Sequence, residues 1–465
     1  MGRIAPGSPL AGAEGKTMEA AAELRAERGV VVVDAFSTGE LLAERVRRLG
    51  FRLVLVYSQP KQEAGVWSNE IKDVEFEIYH TGDLAATLNE LAKVPVRIEA
   101  VIPGAECGVN LSDALTEALA LPSSNGTELS AARRNKWLMH ETVRAAGVRA
   151  AKQILSKEWA EIEAFIVEWN PSPFKVIVKP NQSAGSDDVF LCTDIGEVKE
   201  AFNAINGAIN SCGEVNNGTL VMEFLEGREY VIDSVSRDGD HKVVALWRYD
   251  KRKANGQFNV YFGMEVRSVE SSLEMELVEY SNLVLDALNI RNGPAHMEVI
   301  ITPTGPCLVE VGARCHGGHG TWATISTAAF GYSQIGATID CYTDREAFEA
   351  LPPFPVEPKR YGKEVFLVSY REGIVRGIPG MDKVQTLPSF FAKDIAVKVG
   401  HVLRKTVDLF TMPGRVQLLH DSAEQVERDY NVIHGLLQEF QMFELVSGKE
   451  LQAQPEGPAE DGPAA

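Results

Sequence analysis

Apolar and polar positions change their period along this chain, and the changes predict its elements. The segment VVVVDAF, which begins at Val30, predicts a buried strand, and STGELLAERVRRLG has the spacing of an amphipathic helix ending at Gly50. FRLVLVYS predicts a second buried strand, a helix follows around 83–93, and the strand EAVIPG and the helix NLSDALTEALAL come next. Continuously apolar strands alternating with helices indicate a parallel sheet covered on both faces.

The pattern becomes mixed from about residue 148. Strands are predicted for FKVIVKP, VFLC, GTLVMEFLEG, REYVIDSVSRDG and HKVVALWRYD, with helices at 194–211 and 272–289. The proline-rich LPPFPVEP reads as a linker before a last unit. The α/β beginning is therefore followed by antiparallel and helical material.

Composition narrows the class of protein. The chain has 465 residues, a formal net charge of −19, 45% hydrophobic residues and 24% charged residues. An acidic chain is not expected to bind nucleic acid, which needs a basic face. No apolar run approaches the roughly 20 residues of a membrane span, and a basic-then-apolar signal segment is lacking. Six scattered cysteines without CxxC pairs are typical of a reducing compartment, so a cytoplasmic protein is expected.

The stretch VIVKPNQSAGSDDVF places Lys179 at the end of an apolar strand, before a loop of small residues. A buried ammonium needs an anionic partner, and small residues let backbone amides approach an anion closely. The stretch therefore predicts a phosphate cradle. The alternative is an ordinary hairpin loop with a surface lysine.

The stretch LVMEFLEGREYVID, residues 220–233, is an apolar strand, a short linker and a second strand. The backbone groups at such a linker can pair with the edge of an adenine ring, and Glu229 just beyond can accept hydrogen bonds from ribose hydroxyls. The alternative is a polar β-turn.

Two carboxylates are predicted to face each other on a hairpin. Glu298 and Glu310 lie side by side if 293–301 and 307–311 pair around TPTG. Like charges across a ladder repel, and a divalent cation removes the repulsion, so the pair predicts a magnesium site. Arg314 can clamp a further anion in bidentate fashion. The alternative is that one of the two acids is simply exposed.

The segment RCHGGHG follows these acids. Cys315, His316 and His319 lack a second ligand cluster for a metal site, and adjacent Cys and His side chains do not easily orient toward each other as a nucleophile pair. A close-packed glycine loop at the substrate site is the preferred interpretation.

The order of these motifs resembles the ATP-grasp superfamily, specifically its carboxylate–amine ligases of the L-amino-acid-ligase kind. The resemblance covers about 29–450 and implies an ATP-grasp fold with an N-terminal parallel-sheet domain and a C-terminal α+β domain. The expected organisation is a disordered leader at 1–28, an N-terminal α/β domain at 29–128, an ATP-grasp domain at 129–350 with its small lobe at about 148–222, a C-terminal domain at 361–450 and a disordered tail at 451–465.

The resemblance also implies an ATP site. Its phosphate lysines would be Lys136, in RRNKWLM, and Lys179. The remaining nucleotide contacts that the resemblance implies are Ser183, Ala184, Gly185 and Ser186 over the phosphates, Glu223, Phe224 and Leu225 at adenine, mainly through their backbone, and Glu229 at the ribose.

In the same way, Glu298 and Glu310 would hold Mg²⁺ or Mn²⁺, and Arg314 would position the carboxylate and its acyl phosphate. The implied reaction is transfer of the γ-phosphoryl group to a carboxylate, followed by attack of an amine to give an amide, ADP and phosphate. Amino acids or a small metabolite are the expected substrates, and the resemblance leaves a homodimer open.

Two departures from the family pattern keep other functions open. Gly312 stands where the family often has Asn, and Asp187 and Asp188 add negative charge to the phosphate loop, where lysines such as Lys251 and Lys253 would have to compensate. The alternatives are a carboxylase that activates bicarbonate, although no biotin-attachment MKM is present, and a non-catalytic nucleotide-binding regulatory protein.

Overall fold

The computed structural model describes residues 28–59, 71–182, 188–210 and 215–446. The predicted leader at 1–28, apart from Arg28, and the predicted tail at 451–465 lie outside these ranges. Within the described ranges, no helix combines the length and the apolar character that a membrane crossing needs.

The N-terminal sheet has four parallel strands in the order β3-β2-β1-β4. Side chains of β1 alternate between two cores: Val30 and Val32 enter one, Val31 and Val33 the other, and all four are fully buried. This confirms the prediction of a parallel sheet covered on both faces. The strands are β1 (Arg28–Val33), β2 (Arg52–Tyr57), β3 (Phe76–Tyr79) and β4 (Arg97–Pro103).

A second four-stranded sheet is antiparallel and has the order β5-β8-β6-β7. Its core combines apolar side chains of the sheet with Ile162, Ile166 and Phe202 from two helices. The strands are β5 (Gln153–Ser156), β6 (Val176–Pro180), β7 (Phe190–Cys192) and β8 (Thr219–Glu223).

The third sheet has eight antiparallel strands in the order β13-β12-β9-β10-β11-β14-β18-β16. The strands are β9 (Arg228–Arg237), β10 (Asp240–Ala254), β11 (Gln257–Arg267), β12 (Gly293–Thr302), β13 (Gly305–Gly312), β14 (Tyr361–Phe366), β16 (Phe390–Ile395) and β18 (Gly414–His420). β11 pairs with β14, so this sheet runs without a break across the proline-rich linker at 351–358.

The remaining strands form a small sheet in the order β17-β15-β19. They are β15 (Gly373–Gly377), β17 (Val402–Leu403) and β19 (Glu444–Val446). The helices are α1 (Thr38–Arg48), α2 (Leu84–Leu91), α3 (Val109–Ala118), α4 (Lys136–Ala145), α5 (Trp159–Trp169), α6 (Ile195–Ile205), α7 (Ser272–Ala287), α8 (Ala323–Phe330), α9 (Gln334–Thr343), α10 (Arg345–Glu349), α11 (Gly380–Val384) and α12 (Ala423–Gln438).

Candidate active site

Glu298 and Glu310 are direct cross-strand partners on the hairpin of β12 and β13. Gly305 closes the turn between these strands with a φ of +99°, a conformation that other residues rarely adopt. The side chains are 13% and 30% exposed. Two acids in this register repel each other unless cations lie close to both.

Lys136 supplies one of these cations. It is the first residue of α4, whose N-terminus is capped by the Asn135 side chain, which accepts a hydrogen bond from the Leu138 backbone N–H. Its Nζ lies 2.9 Å from Oε2 of Glu310. The position of Lys136 at the start of α4 therefore places its ammonium group next to Glu310 on β13.

Lys179 is buried near the end of β6, with 7% of its surface exposed. Burial lowers its pKa to about 8, and repulsion from Lys136 adds to this against attraction from Glu310 and Glu298. Within the described part of the chain, no carboxylate lies within 4.0 Å of its Nζ. The site thus holds a buried ammonium group with room for an additional anion.

A cavity of about 510 Å³ opens beside these charges. Phe224, Leu225, Glu229 and Lys251 line it, and the volume suits a drug-sized or nucleotide-sized ligand. Lys251 Nζ lies 2.6 Å from Oε1 of Glu229 and 4.2 Å from the centre of the Tyr261 ring. Burial alone would lower the pKa of Lys251, but Glu229 and the other acids raise it, so this lysine stays charged.

Glu229, which lines the cavity, and its neighbour Glu298 have pKa values shifted in opposite directions. Burial raises the pKa of Glu229, and Glu298 raises it further against the attraction of Lys251. Burial also acts to raise the pKa of Glu298, but Lys251 and His296 outweigh it and hold this pKa well below its usual range. Glu298 is therefore the ionised member of the pair, with the oxygen chemistry that a hard divalent cation prefers.

Arg314 lies beyond the end of β13 and contacts a residue that the sequence did not single out. Its Nε lies 2.9 Å from Oε2 of Glu106, whose Oε1 lies 2.9 Å from Nη1 of Arg134. Burial would raise the pKa of Glu106, but Arg314 and Arg134 lower it overall. Glu106 lies in the short turn between β4 and α3, and its contact with a residue about 200 positions later has no local signal in the sequence.

The same contact accounts for Gly312. A Cβ at this position would lie 2.6 Å from Oε2 of Glu106 and 3.0 Å from Cζ of Arg314. The asparagine of the family pattern would therefore displace the Glu106–Arg314 pair. The departure from the pattern is matched by a different polar contact.

A buried network of Asp233, His296 and His316 also went unrecognised in the sequence. Asp233 Oδ1 lies 2.9 Å from Nδ1 of His296, and Oδ2 lies 3.0 Å from Nδ1 of His316. His296 Nε2 in turn lies 3.7 Å from Oε1 of Glu298. His296 is two residues before Glu298 on the same face of β12, which was the available signal.

Of the other predicted nucleotide contacts, four lie outside the described residues and one does not line the cavity. Ser183, Ala184, Gly185 and Ser186 lie outside the described residues, as does Asp187, and Asp188 is exposed. Glu223 does not line the cavity: its carboxylate accepts from Arg149 at 2.7 Å, and its backbone N–H donates to Lys152 O at 2.8 Å. The prediction that Glu223 faces adenine through its backbone stays a prediction; its carboxylate and its N–H contact residues just before β5.

Comparisons with known proteins identify a family model and relatives that this chain resembles. A family model described as an ATP-grasp domain matches residues 172–322. Dapdiamide A synthase of Enterobacter agglomerans is 30% identical over 421 residues, which are 90% of this chain and 97% of that protein. The L-arginine-specific L-amino acid ligase of Bacillus subtilis is 21% identical over 60% of this chain and 65% of its own length.

Solved structures share the fold. The L-amino acid ligase from Bacillus licheniformis superposes with a TM-score of 0.68 at 18% identity, covering 90% of this chain and 98% of that one. The N5-carboxyaminoimidazole synthetase from Staphylococcus aureus, complexed with ADP, gives a TM-score of 0.60 at 16% identity, covering 88% and 97%.

Proposed function

We infer that this chain works through an acyl phosphate, because it belongs to the carboxylate–amine ligases of the ATP-grasp superfamily and forms amide bonds with ATP. A carboxylate is a poor electrophile at neutral pH. Transfer of the γ-phosphoryl group of ATP to the carboxylate makes its carbon reactive, and attack by an amine then releases phosphate. Free amino acids are the proposed substrates. Two proteins that are named amino acid ligases match 60% and 90% of this chain.

The observation that carries this proposal is the buried ammonium of Lys179. It lies among Lys136, Glu298 and Glu310 without a carboxylate of the described residues within 4.0 Å. A phosphate group supplies the missing anion and offsets the cost of burial. Lys179 and Lys136 are therefore proposed to hold the phosphates of ATP, with Phe224 and Leu225 at adenine and Glu229 at the ribose.

Glu298 and Glu310 fit a magnesium ion. Both present carboxylate oxygens from one cross-strand pair, and Glu298 is held in its ionised form. When Mg²⁺ is bound, it neutralises phosphate charge as the γ-phosphoryl group moves. Lys136, now paired with Glu310, would turn from that carboxylate toward the nucleotide, because its ammonium is the mobile end of a flexible side chain.

Arg314 is proposed to orient the acyl group. Its guanidinium is anchored at Nε by Glu106, which leaves other donors for the substrate carboxylate and then for the acyl phosphate. Lys179, Lys136 and Arg314 together would stabilise the negative charge that develops during phosphoryl transfer.

The test is an assay of ADP and phosphate release with ATP, Mg²⁺ and pairs of amino acids, with the products identified by mass spectrometry. A new amide and one ADP per amide are expected. Release that requires bicarbonate instead of an amine would indicate the carboxylase, and no release in any mixture would indicate the regulatory protein. Lys179→Met should abolish the release of ADP and phosphate. Lys157→Met, at an exposed position just before α5, should leave this release unchanged.

A further inference from the structure

His316 is a buried residue that is held by contacts from four parts of the fold. Its backbone N–H donates to Oε1 of Gln334 at 2.8 Å, and its carbonyl accepts from Oγ1 of Thr38 at 2.6 Å. The ring of Trp322 stacks on the imidazole at 5.1 Å with an angle of 17°, and Asp233 pairs with Nδ1. The ring therefore has one defined orientation.

Asp233 fixes the tautomer of that ring. Its Oδ2 accepts from Nδ1–H of His316, so the lone pair of a neutral imidazole is on Nε2. Nε2 has no hydrogen-bond partner among the described residues. It is also not fully buried. An unpartnered acceptor nitrogen is thus presented to the space beside the ring.

The two histidines on Asp233 differ in the direction of their pKa shifts. His296 lies between Asp233 and Glu298, and these acids raise its pKa against the effect of burial. Burial lowers the pKa of His316 to about 4, and repulsion from His296 and Arg314 adds to burial against the attraction of Asp233. The groups that contact His316 from α1 and α9, Thr38 and Gln334, are neutral. His316 is thus neutral at pH 7.

The ring also lies close to the reacting groups. Its centre is 4.1 Å from that of His296, whose Nε2 is 3.7 Å from Glu298. Arg314, the proposed acyl-binding residue, is two residues away in the chain. His316 is thus in contact with the histidine that lies against Glu298, and it is close enough to Arg314 for the guanidinium to affect its pKa.

We propose that Nε2 of His316 binds the incoming amine and takes its proton during amide formation, with Asp233 orienting the ring; this rests on the ligase function above. The amine lone pair forms the C–N bond, and the C–O bond to phosphate breaks with its electron pair on phosphate. The proton passes from nitrogen to Nε2 and ends on the released phosphate, so the ring is neutral again. A neutral imidazole is suited to this role, because it must hold no proton before the attack.

The test separates activation of the carboxylate from attack by the amine. Hydroxylamine is neutral at pH 7 and traps an acyl phosphate as a hydroxamate without a base. In His316→Asn the amide side chain still donates to Asp233, but Nε2 is gone. We expect hydroxamate formation within about threefold of the wild type, and amide formation from the best amino acid pair reduced by at least about 100-fold at pH 7. His401→Asn, at an exposed histidine, should change neither rate.

Other outcomes overturn the proposal. Equal loss of hydroxamate and amide would make His316 structural, and no loss of either would remove it from the reaction. His316→Gln is the second variant if His316→Asn does not fold, with the same split expected, and unfolding of both would assign the ring to packing. Absence of hydroxamate with the wild type would instead refute the ligase function itself.

Discussion

Replacing Lys179 by Met is expected to make the ligand-free protein more stable while it removes activity. The side chain is 7% exposed, and its pKa is lowered from 10.5 to about 8, chiefly by burial. A depression of this size corresponds to about 3 kcal/mol of unfavourable free energy for the charged form. The cost is fully present below pH 8 and disappears as the pH rises through the value of the unfolded chain, because the unfolded state then holds no extra proton.

The assay is thermal unfolding of both proteins at pH 7 and at about pH 10. At pH 7 the melting temperature of Lys179→Met should exceed that of the wild type by on the order of 3 °C, and the gap should narrow at the higher pH. Addition of ADP with Mg²⁺ should stabilise the wild type more than the variant. A variant that is less stable than the wild type at pH 7 would refute the reasoning, since attraction from Glu298 and Glu310 would then exceed the cost of burial.

Three further substitutions test the site and its support. Glu310→Gln should reduce ADP formation by at least about 100-fold in the release assay while the melting curve stays unchanged, and an unfolded variant would make the residue structural. Arg133→Met should destabilise the protein by about 3–5 kcal/mol in urea unfolding, because it leaves Asp113 buried without its partner at 2.7 Å; a smaller loss would mean that water reaches Asp113. Gly227→Ala would place a Cβ 1.8 Å from the Ile301 carbonyl oxygen, so calorimetry should show ADP affinity reduced about tenfold, and unchanged affinity would contradict a rigid cavity wall.

Most of the fold was accessible from the sequence, and the exceptions have physical causes. The four valines of β1 and the periodic helix after them predict a covered parallel strand, and the structure confirms the α/β class. β3 was missed because its four residues are mostly exposed or half-buried, so they lack the apolar run of its neighbours. The unbroken ladder from β11 to β14 was also unpredicted, because pairing of strands about 100 residues apart leaves no local signal.

The site, like the fold, was predicted from the sequence only in part. Charged residues next to predicted strands pointed to Lys179, Glu298, Glu310 and Arg314, and the family resemblance added Lys136; the structure brings these five into one region. The sequence did not point to the contacts that adjust them. Such contacts join residues far apart in the chain and depend on side-chain direction.

The sequence by itself determined the elements and the chemical types at their ends, because alternation and charge are local properties of a chain. Only the tertiary structure decided that Glu106 pairs with Arg314, that Glu223 turns to Arg149, and that Asp233 shares its oxygens between His296 and His316. Asp233 and His296 are cross-strand partners on β9 and β12, whereas Glu106 reaches Arg314 from the turn after β4, so strand register and the packing of sheets both contribute. Burial and the neighbouring charges together then shift the pKa values of the assembled groups.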